Sequence, residues 1–352
     1  MYRGGKLRAI VLVGGEGTRL RPLTLCVPKA VVPVVNRPMM FLILNWLKSH
    51  GVSEVVLSAC YKPDILRKVI GRTYRGMKID YIYEESPLGT GGAVKRAEKY
   101  INGTTVVMNG DILTDLDLSK MLKFHRQKKS RVSIALTQAS NPSSYGVVET
   151  GRDGSVLRFL EKPSPEEVAG KVLNINAGVY IIEPGTLDLM KDGKVYSIER
   201  DIFPKFIGDG FYGFVSRNIY WMDLGTAAKY VKACRDILEG AYKVKGLEAA
   251  GKNVKFGGGS RAVRPSCIGS GTVVGGNSRI GELSVLGKNC VIGKNCVVER
   301  AILWDNVTIG DNCVISDCVL AGGVKVGASS SVTGETVLGE GSVLAPYSRL
   351  RA

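Results

Sequence analysis

The chain has 352 residues, enough for about two domains, and none of its apolar runs approaches the ~18–20 residues of a bilayer span. Its net charge of +16 admits nucleic acid, a membrane surface or an anionic small substrate, but the basic residues are scattered, and the densest runs (125–131 and 241–246) are short and lack interleaved aromatics, which argues against nucleic acid. Eight cysteines include no Cys-x-x-Cys pair, so a zinc site is not expected and the thiols read as small apolar filling in a reducing compartment.

In chain order, residues 7–13 (LRAIVLV) form a continuous apolar run, as expected of a strand buried on both faces. The opening therefore reads as a first strand of a cytoplasmic protein rather than a leader peptide. A helical pattern at 39–50 stops at Gly51, and strands at 54–59, 78–83 and 104–111 alternate with helices at 63–70, 92–100 and 118–129. This alternation predicts a doubly wound, Rossmann-like α/β domain, whose ligands gather at the carboxyl ends of the strands. From 131 to 222 the pattern is β-like, and we expect further strands that complete the sheet and form a lid over its edge. A helix is expected at about 226–239.

Residues 241–262 read as a linker, which gives a domain at 1–240 and another at 263–352. In the latter an aliphatic residue recurs every sixth position: Ile268, Val274, Ile280, Leu286, Ile292 and Val298. The register slips near 300–309 and resumes at Ile309, Ile315, Val326, Val332 and Leu338. This hexapeptide period predicts a left-handed parallel β-helix, with the aliphatic residues inside and small residues permitting the turns.

The stretch after the first strand, LVGGEGTRLRPLT (12–24), joins bare backbone to positive charge. Gly14, Gly15 and Gly17 allow backbone N–H groups to approach an anion, and Arg19 and Lys29 suit a polyphosphate. It is not a P-loop, because the Gly-Lys-Ser/Thr ending is missing, and Leu20 stands where a dinucleotide fingerprint has its third glycine. Asp111 ends a predicted strand and Asp223 lies in WMDLGT; two carboxylates beside a triphosphate are what a Mg²⁺ site needs.

Together these stretches resemble the sugar-1-phosphate nucleotidyltransferases. The resemblance is carried by GGEGTRLRPLT, Pro28-Lys29, EESPLGTGGAV (84–94), NGD (109–111), YGVVE (145–149), FLEKP (159–163), INAGVY (175–180) and WMDLGT (221–226), in that order, and by the hexapeptide tail. Among subgroups it is most similar to mannose-1-phosphate guanylyltransferase. Ala30, Ala227 and Ala228 depart from that subgroup's pattern.

The resemblance implies direct in-line transfer of a nucleotidyl group from an NTP to a sugar 1-phosphate, with Mg²⁺ and no nucleophilic side chain. It implies that Arg19 and Lys29 bind the triphosphate, that Asp111 and Asp223 hold the metal, and that Lys162 reaches the sugar phosphate. Glu161 takes sugar hydroxyls, helped by Asn176, Asn109 and the Gly146 backbone. The nucleotide set is completed by Leu12, Gly14, Gly15, Gly17, Thr18, Glu84, Gly89 and Thr90. Glu84 stands where uridylyl- and thymidylyltransferases often carry Gln. A carboxylate only accepts hydrogen bonds, and guanine offers two adjacent donors, so GTP is favoured, with Glu85 as a competing residue.

Three other readings have sequence arguments of their own. Glucose 1-phosphate with UTP or dTTP would use the same chemistry. An acyltransferase in the tail would need a histidine base, and both histidines, His50 and His125, lie before residue 240. A non-catalytic regulatory subunit would be expected to lack some of Arg19, Lys29, Asp111, Lys162 and Asp223, and all are present. The open ends of a solenoid predict a homo-oligomer assembled with help from the tail.

Overall fold

The computed structural model describes residues 6–139, 141–168 and 173–352. They fall into two compact units: the residues up to Glu16 with Met40–Asp223, and Gly17–Met39 with Leu224–Ala352. The division passes through the glycine-rich loop, so Gly14 and Gly15 belong to the first unit, and Gly17, Arg19 and Lys29 to the second.

The strands run β1 (Leu7–Leu12), β2 (Pro33–Val34), β3 (Arg37–Pro38), β4 (Val52–Ala59), β5 (Thr73–Tyr74), β6 (Met77–Tyr83), β7 (Thr105–Asn109) and β8 (Ile112–Thr114). They continue with β9 (Val132–Gln138), β10 (Gly146–Thr150), β11 (Val156–Glu161), β12 (Asn174–Ile182), β13 (Phe211–Val215) and β14 (Trp221–Asp223). Helices α1 (Met39–Ser49), α2 (Pro63–Ile70), α3 (Gly89–Arg96) and α4 (Leu118–Gln127) connect the early strands, and a short α5 (Pro165–Val168) follows β11.

The first unit is a ten-stranded sheet in the order β11-β10-β12-β7-β1-β4-β6-β5, with β9 beside β12 and β13 beside β9. Its centre, β7-β1-β4-β6, is parallel. Ala9, Ile10, Val11, Val55, Leu57 and Val106–Met108 are fully buried there, as both-face burial under helical crossovers requires. Local chemistry starts the helices: Pro63 opens α2, and the Asp117 carboxylate accepts from the Lys120 amide at 2.9 Å to cap α4. The predicted elements of this unit are present. The strands after residue 131 extend the sheet itself rather than forming a separate lid, because β12 pairs with β7 and carries β9 and β10 along.

In the second unit, helix α6 (Ala227–Leu238) is capped by Thr226, and residues 255–351 wind as a parallel β-helix of three stacked sheets. Lys255 stands opposite Val273, Val273 opposite Val291, then Val291 opposite Thr308, so a coil of 18 residues gives way to one of 17. This is the register slip seen in the sequence. The interior column of Ile268, Val274, Ile280, Leu286, Ile292 and Val298 is at most 2% exposed. Stacking begins within the stretch read as a linker, since Lys255–Phe256 and Arg261–Ala262 are already paired strands.

Two residue types of the repeat act differently from the sequence expectation. Asparagine holds many of the left-handed turn positions, Asn277, Asn289, Asn295, Asn306 and Asn312, beside small residues at others such as Gly259, Gly271, Gly323 and Ser329. The glycines that follow the aliphatic residues serve coil stacking instead: a Cβ on Gly269 or Gly275 would lie 2.4 or 2.6 Å from the backbone of the next coil. All eight cysteines are free. Inside the coil they cap carbonyls, Cys290 donating to Trp304 O at 3.2 Å and Cys296 to Gly310 O at 3.1 Å. Burial pushes the Cys290 thiol up to about 11 and Cys318 up to about 12, which keeps both inert.

Candidate active site

In the first unit, β1 ends where the Val13 amide donates to Ser58 O at 2.8 Å, and the chain leaves the sheet as the glycine loop. Leu12 pairs with both Ser58 and Asn109, so these three strand ends lie side by side. The next residue after Asn109 can only be small. A Cβ on Gly110 would lie 2.4 Å from Val13 Cγ1 and 2.7 Å from Leu12 O. That contact fixes the turn that presents Asp111.

Asp223 reaches the same turn through a second pairing. Strand β14 is antiparallel to β8, and Asp223 stands opposite Ile112, the residue after Asp111. Tyr145 donates its hydroxyl to Asp223 Oδ1 at 2.9 Å. Tyr145 also packs edge-on against Trp221, whose indole N–H donates to Ala177 O at 2.9 Å. Asp223 therefore stands opposite the residue that follows Asp111, the other aspartate predicted to share the cation, although the two aspartates are 112 positions apart in sequence. Among the described residues no group of three or more His, Cys, Asp or Glu side chains could hold a metal. Two hard carboxylates suit a magnesium-like ion that takes its remaining ligands from phosphate and water.

Glu84 is buried, 7% exposed, at the end of β6. Ser58 donates its hydroxyl to Oε1 at 3.0 Å and Leu88 its amide to Oε2 at 3.1 Å. A Cβ on Gly14 would sit 3.4 Å from Oε1, so the carboxylate lies directly beneath the glycine loop. A carboxylate has about four acceptor positions, and these two bonds occupy only half of them. Glu85, the competing residue, is exposed.

Glu161 and Lys162 open onto a cleft of about 460 Å³, lined also by Gly89, Thr90, Tyr196, Ser197, Glu199 and Arg200. Burial, then the charge of Glu199, hold the Glu161 carboxyl above the usual range, against the pull of Lys162 and Arg200. Lys162 has φ 51°, an uncommon conformation for a lysine, and its amide donates to Tyr145 O at 3.2 Å. Gly146 pairs with Glu161, and a Cβ there would lie 2.8 Å from Glu161 Oε2. Asn176 sits at a register shift in β12, where its amide donates to Tyr180 Oη and its carbonyl accepts from the Gly178 amide, both at 2.8 Å. Gly89 and Thr90, placed with the nucleotide by the sequence reading, line this same cleft.

The sequence reading missed Glu199. Thr90, Ser197 and Tyr180 all donate to its carboxylate, at 2.6, 2.9 and 3.1 Å, and so tie α3 to β12 across the floor of the cleft. Its signal was a buried-helix pattern, Ile198, Ile202, Phe203 and Phe206, with two acidic residues inside it, Glu199 and Asp201, of which Glu199 is buried. Tyr145 was missed because its motif was read for Gly146.

In the second unit, Gly17 has φ 66°, and a Cβ there would lie 3.3 Å from Lys29 Cβ and 3.1 Å from Thr24 Cγ2. Thr24 donates to Gly17 O at 2.8 Å. Thr18, Arg19 and Leu20 form a single 3₁₀ turn directly after Gly17, with Thr18 and Arg19 exposed. Lys29, ten residues on from Arg19, is thus folded back onto the glycine that precedes the Arg19 turn.

A family model described as Nucleotidyl transferase matches residues 8–240. The chain belongs to the nucleotidyl transferase family. It is a nucleotidyltransferase whose first unit carries the Rossmann-like sheet of that family. A second model, described as the EIF2B subunit epsilon LbH domain, matches residues 249–350. The mannose-1-phosphate guanylyltransferase of Mycobacterium tuberculosis is 37% identical over 273 residues, covering 76% of this chain and 74% of that protein. The UTP–glucose-1-phosphate uridylyltransferase of Synechocystis is 32% identical over 268 residues, 71% of this chain and 68% of that protein. The crystal structure of HddC from Yersinia pseudotuberculosis, complexed with GMP-PN, superposes with a TM-score of 0.55 at 33% identity, over 65% of this chain and 99% of that one. No helix among the described residues is long and apolar enough to cross a membrane.

Proposed function

We propose that this nucleotidyl transferase moves the guanylyl group of GTP to mannose 1-phosphate, giving GDP-mannose and pyrophosphate. The observation that supports the reading is the pairing of Asp223 with Ile112, the residue after Asp111, beside the turn where Gly110 closes onto the end of β1. The sugar-phosphate oxygen attacks the α-phosphorus of the triphosphate. One P–O bond forms, the bond to the bridging oxygen breaks, and pyrophosphate leaves with both electrons of that bond. No side chain bonds to the substrate, so the protein's part is positioning and charge neutralisation.

Asp111 and Asp223 would hold Mg²⁺, which supplies neutralisation of the triphosphate charge when bound. Arg19 and Lys29 take the triphosphate, with the backbone at Gly14, Gly15, Gly17 and Thr18 and the end of β1 at Leu12 shaping its seat. Lys162 holds the sugar phosphate. Glu161 accepts from sugar hydroxyls in a half-buried setting where such bonds are strong, with Asn109, Gly146 and Asn176 beside it. Glu84 takes the guanine N1–H and 2-amino donors on its remaining acceptor positions. The 37% identity to a guanylyltransferase and the GMP-PN complex of HddC support this base; the Synechocystis relative supplies the competing one. We further propose a homo-oligomer aided by the β-helix.

The test is pyrophosphate release from a panel of NTPs and sugar 1-phosphates in Mg²⁺. Preference for GTP with mannose 1-phosphate supports the full reading. Preference for UTP or dTTP removes the Glu84 assignment and leaves the chemistry. Asp111→Asn is expected to lower kcat by about 10²–10³, the scale of one preorganised charge contact, and wild-type turnover in that variant removes the metal assignment.

A further inference from the structure

The segment that carries Arg19 and Lys29 belongs to the β-helix unit rather than to the unit of the sheet it continues. Residues 17–39 pack as one body with α6 and the β-helix. Several contacts hold it there, Arg37 donating to Lys245 O and Gly246 O among them. The Tyr230 hydroxyl donates to Pro33 O at 2.7 Å, and Trp304, on the β-helix, donates its indole N–H to the same hydroxyl at 3.0 Å. Tyr230 is 1% exposed and Trp304 7%, so this relay is shielded from water. At the tip of the β2–β3 hairpin, Asn36 donates to Leu286 O at 2.6 Å, on the second coil. The start of the segment meets a later coil, where a Cβ on Gly339 would lie 3.2 Å from Pro22 Cβ.

The turn of the hairpin is strained. Its two turn residues are Val35 at φ 47° and Asn36 at φ 61°. Two residues with positive φ make the tight primed turn, but a β-branched valine adopts that conformation at a cost. Val35 is 2% exposed, so the valine is used where burial, not turn chemistry, decides.

We infer that the β-helix is a positioning element for the triphosphate site: the Trp304–Tyr230–Pro33 relay and the Asn36 and Gly339 contacts set where Arg19 and Lys29 stand. Trp304 and Tyr230 are positioning residues that touch no substrate. The inference rests on the assignment of Arg19 and Lys29 to the triphosphate. It makes a specific split, because Glu161, Lys162 and Asn176 lie in the other unit. Disturbing the relay weakens the nucleotide side and spares the sugar-phosphate side.

The experiment uses the full chain with Trp304→Phe, which keeps the ring and removes the donor, and Gly339→Val, which presses on Pro22 without touching the relay. Binding of a non-hydrolysable GTP analogue in Mg²⁺ is measured by calorimetry, alongside steady-state KM for each substrate and thermal melting. Each variant is expected to raise the Kd of the analogue and the KM for the NTP about fivefold to tenfold, the scale of one buried hydrogen bond. The KM for the sugar phosphate is expected to stay within about twofold. Equal changes in both KM values, or none in folded variants, overturn the inference. Arg19→Ala and Lys29→Ala are run beside them. If these leave analogue binding unchanged, the site assignment itself falls; if they weaken it and the relay variants do not, only the positioning role falls.

Discussion

His125 is as buried as the core leucines, 2% exposed, yet takes no part in the chemistry. Its ring bonds Ser133 Oγ at 2.8 Å and Glu183 Oε1 at 3.0 Å, and Thr104 donates to the same oxygen at 2.5 Å. Burial lowers its pKa below the ordinary 6.5, and Glu183 offsets only part of that; burial lowers His50 as well. The unfolded chain therefore binds protons that the folded one refuses as pH falls below about 6.5. Stability contributed by these two residues is fully present above that value and is lost below it. Thermal melting from pH 8 to pH 5 is expected to show a flat region above about 7 and a fall below 6.5. His125→Gln should reduce the slope, and an unchanged slope in that variant and in His50→Gln would show that other groups set it.

Strand ends, more than strand interiors, build the candidate site. β1, β4 and β7 bring Leu12, Ser58 and Asn109 level, and Gly110 lets the β7 turn close onto Val13. Gly110→Ala puts a methyl against a backbone oxygen that cannot move aside, and should cost about 1–3 kcal/mol, read as a lower melting temperature with a larger loss of turnover. An unchanged melt would mean that this turn is looser than its contacts indicate. The alternation of apolar strands and capped helices made this sheet legible from sequence, since period and caps are local signals. That Asp111 and Asp223 would serve one cation was inferable only as chemistry; the β8–β14 register that pairs Asp223 with Ile112 joins residues 111 apart, and no local pattern records it. Glu199 was invisible for the same reason: two of its three donors, Thr90 and Tyr180, come from other elements. The repeat was plain in its period, but the work of its glycines was not. Coil-to-coil contact is a relation between residues 18 apart.

At the scale of the molecule, the division into units does not follow the chain. Residues 17–39 leave the sheet domain, join the β-helix unit, and hand the chain back at Met40. The β-helix presents its last coil with Val343 and Tyr347 exposed at 70% and 77%. Our proposed homo-oligomer would cover apolar area of this kind. Light scattering at micromolar concentration should give a mass above the 37.9 kDa of one chain, and monomer alone at every concentration would remove it.

A coil of 17 residues stacks on one of 18 without breaking the interior column. The column counts coils, not residues, so the stack tolerates a single-residue change at a turn and adds or loses length in whole coils. Such a tail is a ruler with fixed graduations. A coil duplicated beyond Gly339 would lengthen it without moving Leu286 or Trp304, whereas one inserted between residues 286 and 339 would carry the Pro22 contact one strand spacing, about 4.8 Å, away from the hairpin contact.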